Sequence, residues 1–255
     1  MVDVTDLTVT VVGCSGTIPG PDSAASCYLI RFDDFALVLD LGSGSLGPLQ
    51  RYIGLHEVDA VLVSHLHPDH SADLGPYYVA RRYSPGAPSS RLPIYGPAQT
   101  VDHLARGYPG NRPVAEFLEL FELFPLATGA VQIGPLAVTC VRTEHPVECW
   151  ASRIEVAGRS LVYTADTGSS TAVTALARGA HLLLAEASFT SDGERPPGLH
   201  LRASEAGEMA RSARVGKLIV THIPPWNDPA QALAEAAEAF GGPTELAQPG
   251  LTFHV

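Results

Sequence analysis

His65-Leu66-His67-Pro68-Asp69-His70 decides how this chain is read. Three imidazoles and a carboxylate fall within six positions, directly behind the apolar run Val58–Ser64. Such a run suits a buried strand, so the polar side chains sit at a strand end, in a loop able to turn them toward one point. Imidazole and carboxylate are donors that suit zinc, manganese or iron. In this reading His65 and His67 share one metal, while Asp69 and His70 reach a second. With 10 histidines in 255 residues, so dense a cluster is rarely accidental.

Further strand-like runs rich in Val, Leu, Ile and Tyr lie on both sides: Leu7–Cys14, Ser26–Phe32, Phe35–Asp40, Val131–Val141, Ser160–Thr164, His181–Ala185 and Lys217–Thr221. Three of the later ones run into a ligand-type residue. His145 follows 138–144, Asp166 follows 161–165 and His222 follows 218–221. Taken singly, each is also an ordinary strand-end residue. Helical patterns fill the gaps. Ala203–Arg214 puts Ala206, Met209, Ala210 and Ala213 on one stripe, with Glu205 near its start and Arg211 near its end. Asp228-Pro229 reads as an N-cap and first helical position, followed by Ala230, Leu233, Ala237 and Phe240 at helical spacing. Residues 71–91 predict a helix and then a loop. Order and lengths predict an α/β fold with four layers, helix–sheet–sheet–helix, over one domain spanning 1–255.

Composition narrows the setting. The start Met1–Asp6 shows no basic and apolar leader, and no apolar run reaches the roughly 18–20 residues that span a bilayer. Cys14, Cys27, Cys140 and Cys149 are scattered without a paired spacing, as in a reducing cytoplasm. The net charge of −11 repels long nucleic acid and anionic membranes, which favours a small substrate.

The order His-x-His-x-Asp-His, then His145, Asp166 and His222, resembles the metallo-β-lactamase superfamily from end to end. Asp40, in Leu37-Val38-Leu39-Asp40-Leu41-Gly42, matches its early structural aspartate near the metals. The resemblance implies the four-layer αββα fold and two divalent ions, zinc first, with manganese or iron as alternatives. One ion is held by His65, His67 and His145, the other by Asp69, His70 and His222, and Asp166 bridges them. A bridging water or hydroxide serves as nucleophile, and Asp69 orients it or takes its proton.

Finer features resemble the branch of transfer-RNA 3′-processing endonucleases (the ribonuclease Z-like branch) and small phosphodiesterases. These are the glycine-containing opening Val11–Pro19, the stretch Ala185-Glu186-Ala187-Ser188-Phe189, and the histidine-led His200–Gly207. Ala185 stands where that branch has a histidine. The likeness implies His200 as general acid with Glu186 orienting it, and a homodimer. The 21 positions from His145 to Asp166 leave no room for the branch's tRNA-gripping arm. What remains resembles compact actinobacterial cyclic-nucleotide phosphodiesterases, the stretches 221–226 and 81–83 being part of that likeness. The expected activity is therefore a phosphodiesterase on a small, 3′,5′-cyclic nucleotide, with an RNA-processing nuclease or a carbon-ester, thioester or lactone hydrolase as alternatives. Arg81 and Arg82 are candidates to bind the substrate phosphate, since guanidinium matches it geometrically, although such a pair is more often a solvated helix end. Asp73, three positions past His70, is a candidate to hydrogen-bond a ligand histidine, or else a plain helix-start acid. Tyr77, Tyr78 and Trp226 are read as packing residues more than as base-stacking ones, and His56, His103, His181 and His254 as structural or surface residues.

Overall fold

The computed structural model describes residues 6–110, 112–192 and 196–255, so most of the acidic N-terminal start lies outside the described residues. In chain order the first sheet takes β1 (Thr8–Ser15), β2 (Ala24–Ala25), β3 (Cys27–Phe32), β4 (Phe35–Leu39), β5 (Ala60–Leu62), β6 (Leu92–Gly96) and β7 (Phe121–Pro125). The second takes β8 (Gly129–Ile133), β9 (Leu136–Arg142), β10 (Trp150–Val156), β11 (Arg159–Tyr163), β12 (Leu182–Glu186), β13 (Lys217–Thr221) and β14 (Thr244–Leu246), and β15 (Thr252–His254) returns to the first. Helices α1 (Leu46–Leu49), α2 (Pro68–Ser71), α3 (Leu74–Tyr83), α4 (Thr100–Gly107) and α5 (Val114–Leu118) accompany the first sheet. Helices α6 (Thr171–Leu176), α7 (Ala203–Ala213) and α8 (Pro229–Phe240) accompany the second. The strand orders are β15-β1-β3-β4-β5-β6-β7, with β2 beside β1, and β14-β13-β12-β11-β10-β9-β8.

Alternation along the strands builds the layers. In β4, Leu37 and Leu39 enter the core between the sheets, while Ala36 and Val38 pack under the outer helices. In β12, Leu182 and Leu184 point inward and Leu183 and Ala185 meet the second helical layer. Both faces are buried, which is why these runs read as unbroken apolar stretches. The result is the α/β/β/α arrangement the sequence implies.

Local details differ from the sequence reading where a turn is short. The predicted strand Val131–Val141 is a hairpin of β8 and β9, because Gly134 takes φ +54° ahead of Pro135 and reverses the chain. Within 71–91 the predicted helix and following loop are α3 and the stretch from Ser84 to β6, while the short α2 precedes them over the histidine loop. Helix α7 ends where predicted, with Arg214 as a left-handed C-cap at φ +54°, and Arg202 N donates to Glu205 Oε2 at 2.8 Å at its start. Asp228 caps α8 by accepting from Ala230 N at 2.8 Å. The deeply buried stripe of α8 is Ala232 and Ala236; Ala230 is exposed, and Leu233 and Ala237 are half-buried. Among the described residues no helix is long and apolar enough to cross a membrane.

Candidate metal centre

Parallel strands β4, β5, β11, β12 and β13 end on one rim, and the polar residues singled out from the sequence cluster there. The chain turns sharply to present them. Asp40, Ala165 and His222 each adopt positive φ, at 58°, 50° and 56°, a conformation costly for non-glycine residues and characteristic of functional sites. Gly42 fits because a Cβ there would stand 2.0 Å from the carbonyl oxygen of Asp69. Only a glycine lets the segment after β4 lie against the histidine loop.

His65, His67, His145 and Asp166 bring their ligand-type atoms within 4.8 Å of one another, as do Asp69, His70, Asp166 and His222. Asp166 belongs to both groups. His67 Nδ1 lies 3.0 Å from His65 Nε2 and 3.2 Å from His145 Nε2, and His70 Nε2 lies 3.1 Å from His222 Nε2. Asp166 Oδ1 is 3.2 Å from His70 Nε2 and 3.4 Å from His222 Nε2, and its Oδ2 is 3.5 Å from His65 Nε2. Asp69 Oδ2 is 3.2 Å from His222 Nε2.

The outer ring nitrogens show which way the protons lie. His70 Nδ1 donates to Asp40 Oδ2 at 2.8 Å and His145 Nδ1 donates to the carbonyl of Leu199 at 3.0 Å. Ser64 Oγ donates to Asp40 Oδ2 at 2.8 Å, so its 3.0 Å contact with His65 Nδ1 is a bond from the ring. Ser188 Oγ donates to Glu186 Oε2 at 2.9 Å, so His222 Nδ1 donates to Ser188 Oγ at 2.8 Å. In the neutral rings each Nε2 is then a bare lone pair aimed at its neighbours. Lone pairs 3 Å apart repel, and Asp166 Oδ1 is a buried acceptor with no hydrogen bond among the described residues. Nitrogen and oxygen donors converging without protons between them fit two divalent cations, and the set suits a two-metal site.

The electrostatics of His65, His67 and His145 agree, while His70 keeps a second proton that a cation must displace. Burial pulls the pKa of His65 well below the ordinary 6.5, and burial likewise lowers His67 and His145, leaving these rings neutral. For His70 burial disfavours the cation, but Asp166 and Asp40 reverse this and raise its pKa well above 6.5. Burial works against the Asp166 carboxylate, yet His222, His70 and His65 hold it well below the usual range.

Glu186, the last residue of β12, ties this centre to His200. Its Oε1 accepts from His200 Nδ1 at 2.9 Å and from Thr167 N at 2.7 Å, while its Oε2 accepts from Ser188. His200 Nδ1 is 3.8 Å from Asp166 Oδ2. Burial disfavours the imidazolium of His200, but Glu186 outweighs it and the pKa rises to about 9. Asp40 accepts four bonds, from Ser64 N, Ser64 Oγ, His70 Nδ1 and Tyr163 Oη. Ser64, Ser188 and Tyr163 went unassigned in the sequence. Ser64 and Ser188 do lie beside the motif residues His65 and Glu186, the one signal available.

Residues 38–223 match the family model described as the beta-lactamase superfamily domain. The chain belongs to the metallo-β-lactamase superfamily. Within it, an uncharacterised protein of Mycobacterium leprae is 42% identical over 99% of this chain and 90% of that protein. Bacillus subtilis YhfI, named a probable metallo-hydrolase, is 31% identical over 96% of this chain and 98% of its own. The crystal structure of YhfI superposes with a TM-score of 0.88 over 98% of this chain and 100% of that one, at 30% identity. A more distant superfamily relative is a ribonuclease Z of Methanopyrus kandleri, 28% identical over 92% of this chain and 93% of that protein.

The geometry corrects the phosphate-binding expectation for Arg81 and Arg82, and of the two readings of Asp73 it selects the helix-start acid, at the N-cap of α3. Arg81 is buried and its Nη2 donates to the carbonyl of Ser90 at 2.6 Å, and Arg82 pairs with Glu119 at 2.6 Å. Arg81 lies two turns along α3, about 10 Å from Leu74 at 1.5 Å per residue, so the helix carries both arginines away from the rim. Asp73 does not bond a histidine among the described residues; its carboxylate accepts from Gly44 N at 3.1 Å and Leu46 N at 2.8 Å, fixing the loop into α1. Tyr77 and Tyr78 are buried in the core, as expected, whereas the side chain of Trp226 stands 63% exposed.

Proposed function

We propose that this chain is a dinuclear metal-dependent hydrolase that cleaves the phosphodiester bond of a small nucleotide, a 3′,5′-cyclic one first. His65, His67 and His145 would hold one ion, Asp69, His70 and His222 the other, and Asp166 both. Two zinc ions, or manganese or iron, would supply an activated water and offset charge on the phosphoryl group. Asp69 remains ionised, because His222 and His70 outweigh the burial that opposes its charge, and so it is able to take a proton from the attacking water. His200 delivers the other proton. Its Nδ1 is committed to Glu186, so the imidazolium presents Nε2–H to the leaving oxygen.

The observation that carries this reading is the Glu186–His200 bond beside Asp166. An alkoxide leaving group needs a proton, and a carboxylate-oriented imidazolium next to the ions supplies it, typically worth about 10²–10⁴-fold in rate. The acidic net charge and the short interval between His145 and Asp166 support a small substrate. The likeness to ribonuclease Z keeps RNA 3′-end cleavage as the second reading.

The test is hydrolysis of 3′,5′-cyclic AMP by zinc-loaded protein, with His67→Ala as the blank. Turnover abolished in the blank and reduced at least 100-fold by His200→Gln supports the reading. No turnover above the blank with both ions bound refutes cyclic AMP as substrate, and cleavage of precursor RNA by the same preparation would then favour the second reading.

A further inference from the structure

One cavity adjoins the metal centre without being part of it. It encloses about 220 Å³ between the start of α3 and the end of α4. Pro68, Ser71 and Gly75 form one wall, and His103, Leu104 and Tyr108 the other. The first wall is the histidine loop itself: Pro68 follows His67 in the chain, and Ser71 Oγ donates to the carbonyl of His67 at 3.0 Å. A group seated there lies against the loop that carries His67 and Asp69.

Its size and lining define the occupant. The volume falls below the roughly 300–1,000 Å³ of pockets that enclose a whole drug-sized ligand, so it takes one part of a substrate. Leu74 and Leu104 give an apolar base. The Tyr108 ring is fixed by edge contacts with Tyr78 and Phe117, at 5.2 and 5.9 Å between centroids, with the Arg112 guanidinium 5.8 Å over it. Among the described residues no hydrogen bond engages the His103 imidazole or the Tyr108 hydroxyl, which leaves both to read polar edges of a ligand. Two glycines open the space. A Cβ at Gly75 or Gly107 would meet nothing within 4 Å, although both sit in helices, where glycine is unfavourable. A void beside a phosphate-handling centre, with an aromatic wall and unengaged polar groups, fits a flat heterocycle.

Resting on the phosphodiesterase reading, we propose that this cavity is the nucleobase subsite, with His103 and Tyr108 as its specificity-determining residues. The decisive perturbation is Gly75→Leu, which fills the cavity from a helical position that favours leucine over glycine. Gly75→Ala is the graded control, and thermal melting of both should show midpoints at or above wild type. Binding of adenosine 5′-monophosphate and of inorganic phosphate to the zinc-loaded proteins is measured by calorimetry. The expected result is a loss of nucleotide affinity in Gly75→Leu at least tenfold greater than its loss of phosphate affinity, with Gly75→Ala between, and a smaller selective loss in His103→Ala. Equal losses for the two ligands, or a nucleotide that binds wild type no better than phosphate does, overturn the subsite. A selective nucleotide loss in a protein that hydrolyses no phosphodiester would leave the subsite standing and remove the hydrolytic reading instead.

Discussion

Asp40→Asn keeps the size of a fully buried side chain and changes only its hydrogen-bonding character. Asp40 Oδ1 accepts from Ser64 N at 2.7 Å, and Oδ2 accepts from Ser64 Oγ, His70 Nδ1 and Tyr163 Oη, each at 2.8 Å. An asparagine has one acceptor oxygen and one nitrogen that only donates, and neither orientation fits. With the amide nitrogen in place of Oδ1, it faces the Ser64 N–H, a donor that cannot rotate away. In place of Oδ2, it faces His70 Nδ1–H, and the ring escapes only by moving its proton to Nε2, where it blocks the lone pair aimed at Asp166 and His222. The first arrangement leaves one buried donor unsatisfied, a cost of about 1–3 kcal/mol in the metal-free protein, read by urea denaturation. Weakening the group that orients a ligand imidazole costs about 10–100-fold in metal affinity, or about 1.4–2.7 kcal/mol, read by competition with a chromogenic chelator. The ion held through His70 should weaken far more than the one held through His65 and His67. Nitrogen-15 chemical shifts of His70 report which tautomer is present. Wild-type zinc affinity at both positions, within twofold, would refute the argument that Asp40 positions His70.

Other expectations follow from the same contacts. Glu186→Gln removes the carboxylate that raises His200 to about 9. An acid must be protonated to act, so the alkaline limb of kcat/KM should move to lower pH in the variant; bound cations lower that limb in both proteins, and an unmoved limb would exclude His200 as the acid. Because His70 binds a proton tightly in the metal-free protein, zinc binding near neutral pH should release protons and weaken as pH falls, visible as a buffer-dependent calorimetric enthalpy. Gly42→Ala drives a Cβ to 2.0 Å from the Asp69 carbonyl, so it should destabilise the fold by at least about 2 kcal/mol and disturb zinc binding; a wild-type melting curve would contradict the packing. Arg214→Gly relieves the left-handed cap of α7 at an exposed position and should stabilise by about 0.5–1 kcal/mol, raising Tm by about 1–4 °C.

Legibility in the sequence followed the range of the interactions. The cluster was readable because His65–His70, Asp166 and His222 directly follow apolar strand cores, and a strand end fixes where a side chain emerges. Tyr163 Oη reaching Asp40 across 123 positions was not, since nothing local marks a tyrosine in a core strand as a donor to a distant carboxylate. The choice between phosphate ligand and helix end for Arg81 and Arg82 was not legible for a related reason: their charges are local, but their direction depends on where α3 starts and what it packs on. The hairpin at Gly134 was hidden inside an apolar run, where one left-handed glycine outweighs continuous strand propensity.

The donors are divided between two stretches of chain. His65, His67, Asp69 and His70 come from the segment that builds most of the first sheet, and His145, Asp166 and His222 from the segment that builds the second. The chain passes from one sheet to the other between Pro125 and Gly129, through the exposed Thr128. Cut at that point, the protein becomes two fragments whose reunion needs the shared apolar faces and, on the reading above, the shared ions. Zinc would then act as the switch of a split protein: fragment complementation should be strong with metal, weak with chelator, and reversible between them.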